Sequence, residues 1–183
     1  TYANGDRIVF CYAGSFNPHK GTHVLVEAFK RLNPSNALLK IYGSGPDESY
    51  VKSLTSMAAT NSNIEFCGVF PESQTGEVLS NVDVVVVPSL CYENYPMTLH
   101  EALACNIPVI ATNLGGMAEK IKDGFNGFLF NMGDSRHLQT VIEAIVNDPR
   151  VLNRLKRNID STAIPGVEQE AYGYSRAYRM IKG

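Results

Sequence analysis

The sequence predicts an α/β protein: a doubly wound parallel sheet with helices on both faces. Three observations carry this. Short apolar runs of β type alternate with stretches of helical periodicity from one end of the chain to the other. Asp83–Val87 contains four consecutive valines, the pattern of a strand buried on both faces. Glycine or proline follows the main runs at Gly14, Gly43, Gly68 and Pro88, where turns are needed.

The elements follow in order. Arg7–Ala13 is apolar and ends at Gly14, which predicts the first strand. Thr22–Leu32 predicts a helix, with Val24, Leu25, Ala28, Phe29 and Leu32 on one stripe. Leu38–Tyr42 is the second strand, closed by Gly43-Ser44-Gly45-Pro46, and Glu48–Ala59 the helix that returns from it. Ile64–Cys67 is a short strand, followed by a helix over Glu72–Ser80. After the valine strand, Pro96–Cys105 predicts a helix with proline in its first turn. Val109–Ala111, Met117–Ile121, Gly127–Phe130 and Arg136–Val146 continue the alternation. Pro149 at the first helical position opens another helix, Ser161–Gly166 is a joint, and Val167–Ile181 forms a last helix.

Composition narrows the function. A chain of 183 residues corresponds to about one domain, so residues 1–183 are expected to form a single unit. The apolar fraction of 44% and charged fraction of 19% suit a globular domain rather than a disordered one. A net charge of −2 argues against nucleic acid as a partner. No apolar run is long enough to span a bilayer, and the polar stretch Thr1–Asp6 carries no expectation of a signal peptide. Cys11, Cys67, Cys91 and Cys105 form no C-x-x-C pair and sit in or beside apolar stretches. They read as small buried hydrophobes kept reduced, which points to a cytoplasmic location. His19, His23, His100 and His137 lack metal-ligand spacing, so no metal and no cofactor is expected.

Topology then locates a site. In the common strand order 3-2-1-4-5-6, strands one and four are neighbours, and ligands bind beyond their carboxyl ends. The loops there are Gly14–Gly21 and Pro88–Tyr95. The first is neither G-x-G-x-x-G nor a P-loop, which counts against dinucleotide and NTP chemistry. Lys20, at the mouth of a helix, is either a phosphate ligand or a solvated turn lysine. Gly43 and Gly45 either let backbone approach a ligand or make a turn. His19 and His23 are surface or capping residues, with a general base as the other reading. Gly115-Gly116, after strand five, either bring chain close to the crevice or form an ordinary loop. Glu93 and Glu101 stand eight positions apart, one in the loop and one in the following helix. A carboxylate accepts two hydrogen bonds from a vicinal diol. One glutamate can therefore hold a sugar and the other a ribose, with a pyrophosphate on helix amides between them. Glu101 as a solvated helix residue is the plain alternative.

The stretch VPSLCYENYPMTLHEALACNIPVIAT with NLGGMAEKIKDGFNGFLF resembles the donor-binding domain of GT-B glycosyltransferases. It is most similar to the retaining glycosyltransferase family 4, and AGSFNPHKGTHVLVEAFKRL, IYGSGP and NIEFCGVF extend the likeness to about Asp148. The resemblance implies a Rossmann-like C-terminal half of a GT-B enzyme, with an N-terminal acceptor domain not present in this chain. It implies transfer of a hexose from a UDP-, GDP- or ADP-linked sugar without a bound metal. Membrane contact would arise only through the other half. Glu93 and Lys20 would be catalytic, Glu93 on the donor sugar and Lys20 on the pyrophosphate. Glu101 would hold the ribose, and backbone near Val69 and Phe70 the base. Gly14, Ser15, Gly43, Gly45, Asn94, Tyr95, Pro96, Met97 and Leu99 complete the expected donor site. The family usually carries arginine five residues before the lysine, where this sequence has Ser15, so one cation of the phosphate clamp is absent. A binding module without turnover and a GT-B nucleotide-sugar epimerase are the two alternative functions.

Overall fold

The computed structural model describes residues 1–3, 5–32 and 36–160. The expected joint at 161–166 and helix at 167–181 lie outside them. Among the described residues, six strands form one all-parallel sheet in the order β3-β2-β1-β4-β5-β6, the common doubly wound order that locates the site. They are β1 (Ile8–Ala13), β2 (Ala37–Tyr42), β3 (Ile64–Gly68), β4 (Val84–Val87), β5 (Val109–Thr112) and β6 (Gly127–Phe130). The helices are α1 (Thr22–Arg31), α2 (Glu48–Ala58), α3 (Thr75–Leu79), α4 (Met97–Ala104), α5 (Gly115–Lys120), α6 (Ser135–Asn147) and α7 (Arg150–Asp160).

Alternation along the central strands builds two cores. Phe10, Tyr12, Val84 and Val86 face one side, against Leu25 and Phe29 of α1 and Leu138 and Ile142 of α6. Cys11 and Val85 face the other, against Leu99, Ala102 and Leu103 of α4 and Met117 of α5. Each Val, Leu, Ile, Phe or Met among them contributes about 1.5–3 kcal/mol by leaving water. Phe10 and Phe29 pack edge to face with centroids 5.3 Å apart.

Several boundaries move for physical reasons. Glu72–Ser80 is not one helix: a 3-10 turn, Glu72–Gln74, precedes α3. Pro96 caps α4 from extended backbone instead of occupying its first turn. α5 starts at Gly115, two residues before the expected start at Met117, because Gly115 supplies a positive φ of 53° at the turn into it. The buried reading holds for Cys11 only in full. Cys91 is half-buried, and Cys67 and Cys105 are exposed, one beside an irregularity on edge strand β3, the other just past α4.

Candidate functional site

The β1 and β4 loops are held together by backbone. The amide of Leu90 donates to the carbonyl of His19 over 2.7 Å. Gly21, with φ of 71°, lies so close that a Cβ there would overlap the Pro88 carbonyl oxygen. On the other side, the Gly14 and Phe16 amides donate to the Tyr42 and Ser44 carbonyls at 3.1 and 2.7 Å. The Tyr12 hydroxyl donates to the Ser15 carbonyl over 2.9 Å, and burial pushes that phenol up to about 12. Lys20 ends the turn Pro18–Lys20 and projects toward β4.

There Lys20 Nζ meets Glu93 Oε1 at 3.0 Å, with the side chains 31% and 15% exposed. The carboxylate is held by its backbone, because the Gly116 amide donates to the Glu93 carbonyl over 3.1 Å. A Cβ at Gly116 would lie 2.6 Å from that oxygen, so glycine is required for the approach. Gly115-Gly116 thus position the Glu93 loop and are not an ordinary loop. Beyond Glu93, α4 begins. Its first internal acceptor is the Pro96 carbonyl, which receives the Leu99 and His100 amides, so the amides of Met97 and Thr98 precede it. The Thr98 hydroxyl donates to the Ala13 carbonyl over 3.0 Å, tying this helix end to the end of β1. Tyr95 stacks flat on His100, with centroids 3.7 Å apart.

Two adjoining clefts open here, sharing Ala13, Gly14, Ser15, Met97 and Thr98. The smaller, about 290 Å³, contains Lys20, Glu93, Tyr95 and Pro96. The larger, about 480 Å³, contains Tyr42, Gly43, Val69, Phe70, Glu72 and Glu101. Burial raises the Tyr42 phenol to about 12, with exposed Cys67 beside it adding to the shift. Eleven of the fourteen expected site residues border one cleft or the other. Three do not. Leu99 is fully buried in the core against Val85, on the face of α4 turned away from the cleft. Gly45 backs onto Phe16, where a Cβ would overlap the backbone. Asn94 is exposed and borders neither cleft. Neither histidine of the first loop region lines the site. His19 is exposed, and His23 bonds to the Tyr50 hydroxyl over 2.8 Å, with burial holding its pKa below the ordinary value. Thr98, Thr75 and Glu72 were not expected. Thr98 was recoverable from its place in the first turn of α4; nothing in the spacing of Glu72 or Thr75 marked them. Among the described residues, no three His, Cys, Asp or Glu side chains are grouped to hold a metal ion. No helix among them is long and apolar enough to cross a membrane.

Residues 2–162 match the model of the family described as glycosyl transferases group 1. The chain belongs to that family. Its fold is that of the C-terminal, donor-binding domain of GT-B glycosyltransferases. An uncharacterized glycosyltransferase, MJ1178 of Methanocaldococcus jannaschii, is 30% identical over 158 residues, which are 86% of this chain and 43% of the relative. Sucrose-phosphate synthase from Thermosynechococcus elongatus superimposes with a TM-score of 0.80 at 25% identity, over 96% of this chain and 46% of that one. Anabaena Alr3699/HepE, solved in complex with UDP-glucose, gives 0.77 at 25% identity, over 84% and 43%. This group 1 chain spans less than half the length of the curated relatives it matches.

Proposed function

We propose that the chain binds a nucleotide-diphosphate sugar as the donor half of a retaining glycosyltransferase, which transfers a hexose to an acceptor held by a second, N-terminal domain. The observation that carries this is the alignment of Lys20, Glu93 and the first amides of α4 along one pair of clefts, with Glu101 one turn further on. The diphosphate sits on Lys20 and on the Met97 and Thr98 amides, which favour anions. Glu101 accepts hydrogen bonds from the ribose diol, and Glu93 from hydroxyls of the sugar. The backbone at Val69 and Phe70 meets the base. As the bond from the anomeric carbon to the diphosphate breaks, negative charge grows on the leaving oxygen. Lys20 and the helix amides are already aimed there, so their stabilisation grows with the charge. No metal or cofactor enters this scheme. The reaction is placed in the cytoplasm, and any membrane contact belongs to the acceptor half.

Glu93 is also the counter-ion of Lys20. The incoming diphosphate therefore takes over the lysine, and Glu93 turns to the sugar. Ser15, in place of an arginine, leaves Lys20 as the only cationic side chain among the described residues that borders either cleft. That favours, as a second reading, a module that binds donor without turnover. Epimerisation of the donor finds no feature here that favours it.

Titration calorimetry with UDP, GDP, ADP and their sugars tests the proposal. At least one pair binds, and Lys20→Ala weakens both of its members by about tenfold to a hundredfold, since a charged hydrogen bond contributes about 1.5–3 kcal/mol. Unchanged affinity in that variant refutes the assignment. A donor-turnover assay on protein with its acceptor domain separates the enzyme from the binding module.

A further inference from the structure

The larger cleft contains an acidic side chain for which donor binding, as described, has no task. Glu72 opens the turn that follows β3, two residues beyond Phe70. It lines the cleft with Val69 and Phe70, while Glu101 comes from α4. Its side chain is exposed, and among the described residues it forms no ion pair. Resting on the donor reading above, we infer that Glu72 reads the nucleobase and that the cleft selects guanine, so that the donor is a guanosine-diphosphate sugar.

The order of groups along a nucleotide fixes which carboxylate meets which part. Phosphate leads to ribose and ribose to base. Met97 and Thr98 border both clefts, so the first turn of α4 marks the phosphate end of the larger one. Glu101, on that same helix, is next in line and falls to the ribose. Glu72 comes from the segment after β3, which borders the larger cleft only, beside the backbone assigned to the base.

The chemistry of a carboxylate then chooses among the bases. An ionised carboxylate has two acceptor oxygens and no donor. Guanine offers two parallel donors on one edge, the ring N1–H and the exocyclic amine, which match both oxygens. Uracil offers one N–H flanked by two carbonyl oxygens, and these meet the carboxylate with like charge. Adenine and cytosine each place an amine beside a ring-nitrogen acceptor, so one oxygen finds a donor and the other a lone pair. Thr75 lines the same wall, and its hydroxyl can donate to the guanine carbonyl oxygen. A site built to hydrogen-bond two donors rejects bases that lack them, because its own polar groups are then left unpaired.

The test is titration calorimetry of the whole chain with GDP, UDP and ADP, on the parent and on Glu72→Gln. GDP is expected to bind at least tenfold tighter than UDP or ADP. Glu72→Gln replaces one acceptor oxygen with a donor amide that faces the donors of guanine. It should weaken GDP by about tenfold to a hundredfold and change UDP and ADP by less than about twofold. Glu72→Asp, which keeps the carboxylate on a shorter arm, should restore part of the preference. Equal affinity for the three, a preference for UDP or ADP, or an equal loss for all three in Glu72→Gln overturns the guanine assignment and leaves the donor reading standing. If none of the three binds, the donor reading falls and this assignment with it.

Discussion

The two ends of the strands, the amino and carboxyl edges of the sheet, use the same kinds of side chain to opposite purposes. At the amino edge, Asp83 accepts from the Tyr2 hydroxyl over 2.6 Å and from the Val9 amide over 2.8 Å. Lys156 of α7 donates to the same hydroxyl and lies 4.9 Å from the centre of the Tyr2 ring. Asn153 pairs with the Tyr2 backbone in both directions. Burial and Asp83 push the Tyr2 phenol well above its ordinary range, and burial pulls the Lys156 ammonium down. At the carboxyl edge, Lys20 and Glu93 touch one another, but Glu72 and Glu101 face open clefts. One edge turns its charges inward and fastens the start of the chain to α7. The other holds them at the ends of strands, beside a helix start whose amides are free to meet an anion. Displaced ionisations occur at both ends, at Tyr2 and Lys156 in the clasp and at Tyr12 and Tyr42 beside the clefts, so the site is recognised by geometry.

Removing the clasp should have the largest effect and should leave the site intact. Asp83→Ala strands the Val9 amide and the Tyr2 hydroxyl and should cost about 2–4 kcal/mol in denaturant unfolding. Nucleotide affinity should stay within about twofold. A variant of normal stability, or one that binds nucleotide poorly, breaks the division between the edges.

At the opposite edge the pattern should reverse. Lys20 and Glu93 are partly exposed, so Glu93→Gln should change stability by less than about 1 kcal/mol. It should weaken the nucleotide sugar by about tenfold, because the carboxylate that meets the sugar is lost. The bare nucleoside diphosphate should bind as well as to the parent or tighter, since Lys20 no longer has a counter-ion to leave. Equal weakening of both ligands would place Glu93 on the diphosphate instead.

The smallest effect concerns His23, which lies outside both clefts. Burial lowers its pKa below the ordinary 6.5, so the folded chain binds fewer protons there than the unfolded chain. Its contribution is complete above 6.5 and is lost as the pH falls through the lowered folded value. The Tm difference between parent and His23→Gln should shrink by under about 2 °C from pH 7.5 to pH 5, measured by thermal scans. A difference that grows on acidification would reverse the sign.

Much of this was legible in the sequence. The valine run, the glycine punctuation and the alternation of elements pointed to a doubly wound sheet, and the common strand order of that class placed Lys20 and Glu93 at one crevice although they stand 73 positions apart. Their direct ion pair was not legible, because strand order gives neighbourhood and not side-chain direction. Leu99 was misplaced because a motif was read as a string and not as a helix. Positions 99, 102 and 103 form the buried stripe, while 97, 98 and 101 turn to the cleft. Helical periodicity held that information. Gly45 reads like any ligand-loop glycine until the position of Phe16 is known. Glu72 carried no mark at all, since its role depends on where a turn after β3 directs one exposed side chain.

The contact between Gly21 and the Pro88 carbonyl has a consequence for how such a site can change over generations. The loops after β1 and β4 are here locked into a single piece. Any side chain at Gly21 forces Pro88 away, and with it the backbone that sets Glu93 against Lys20. A lineage that alters one loop must alter the other in step. New specificity is therefore more accessible at the rim that follows β3, where the chain is free of this bond, than at the phosphate end, where it is not.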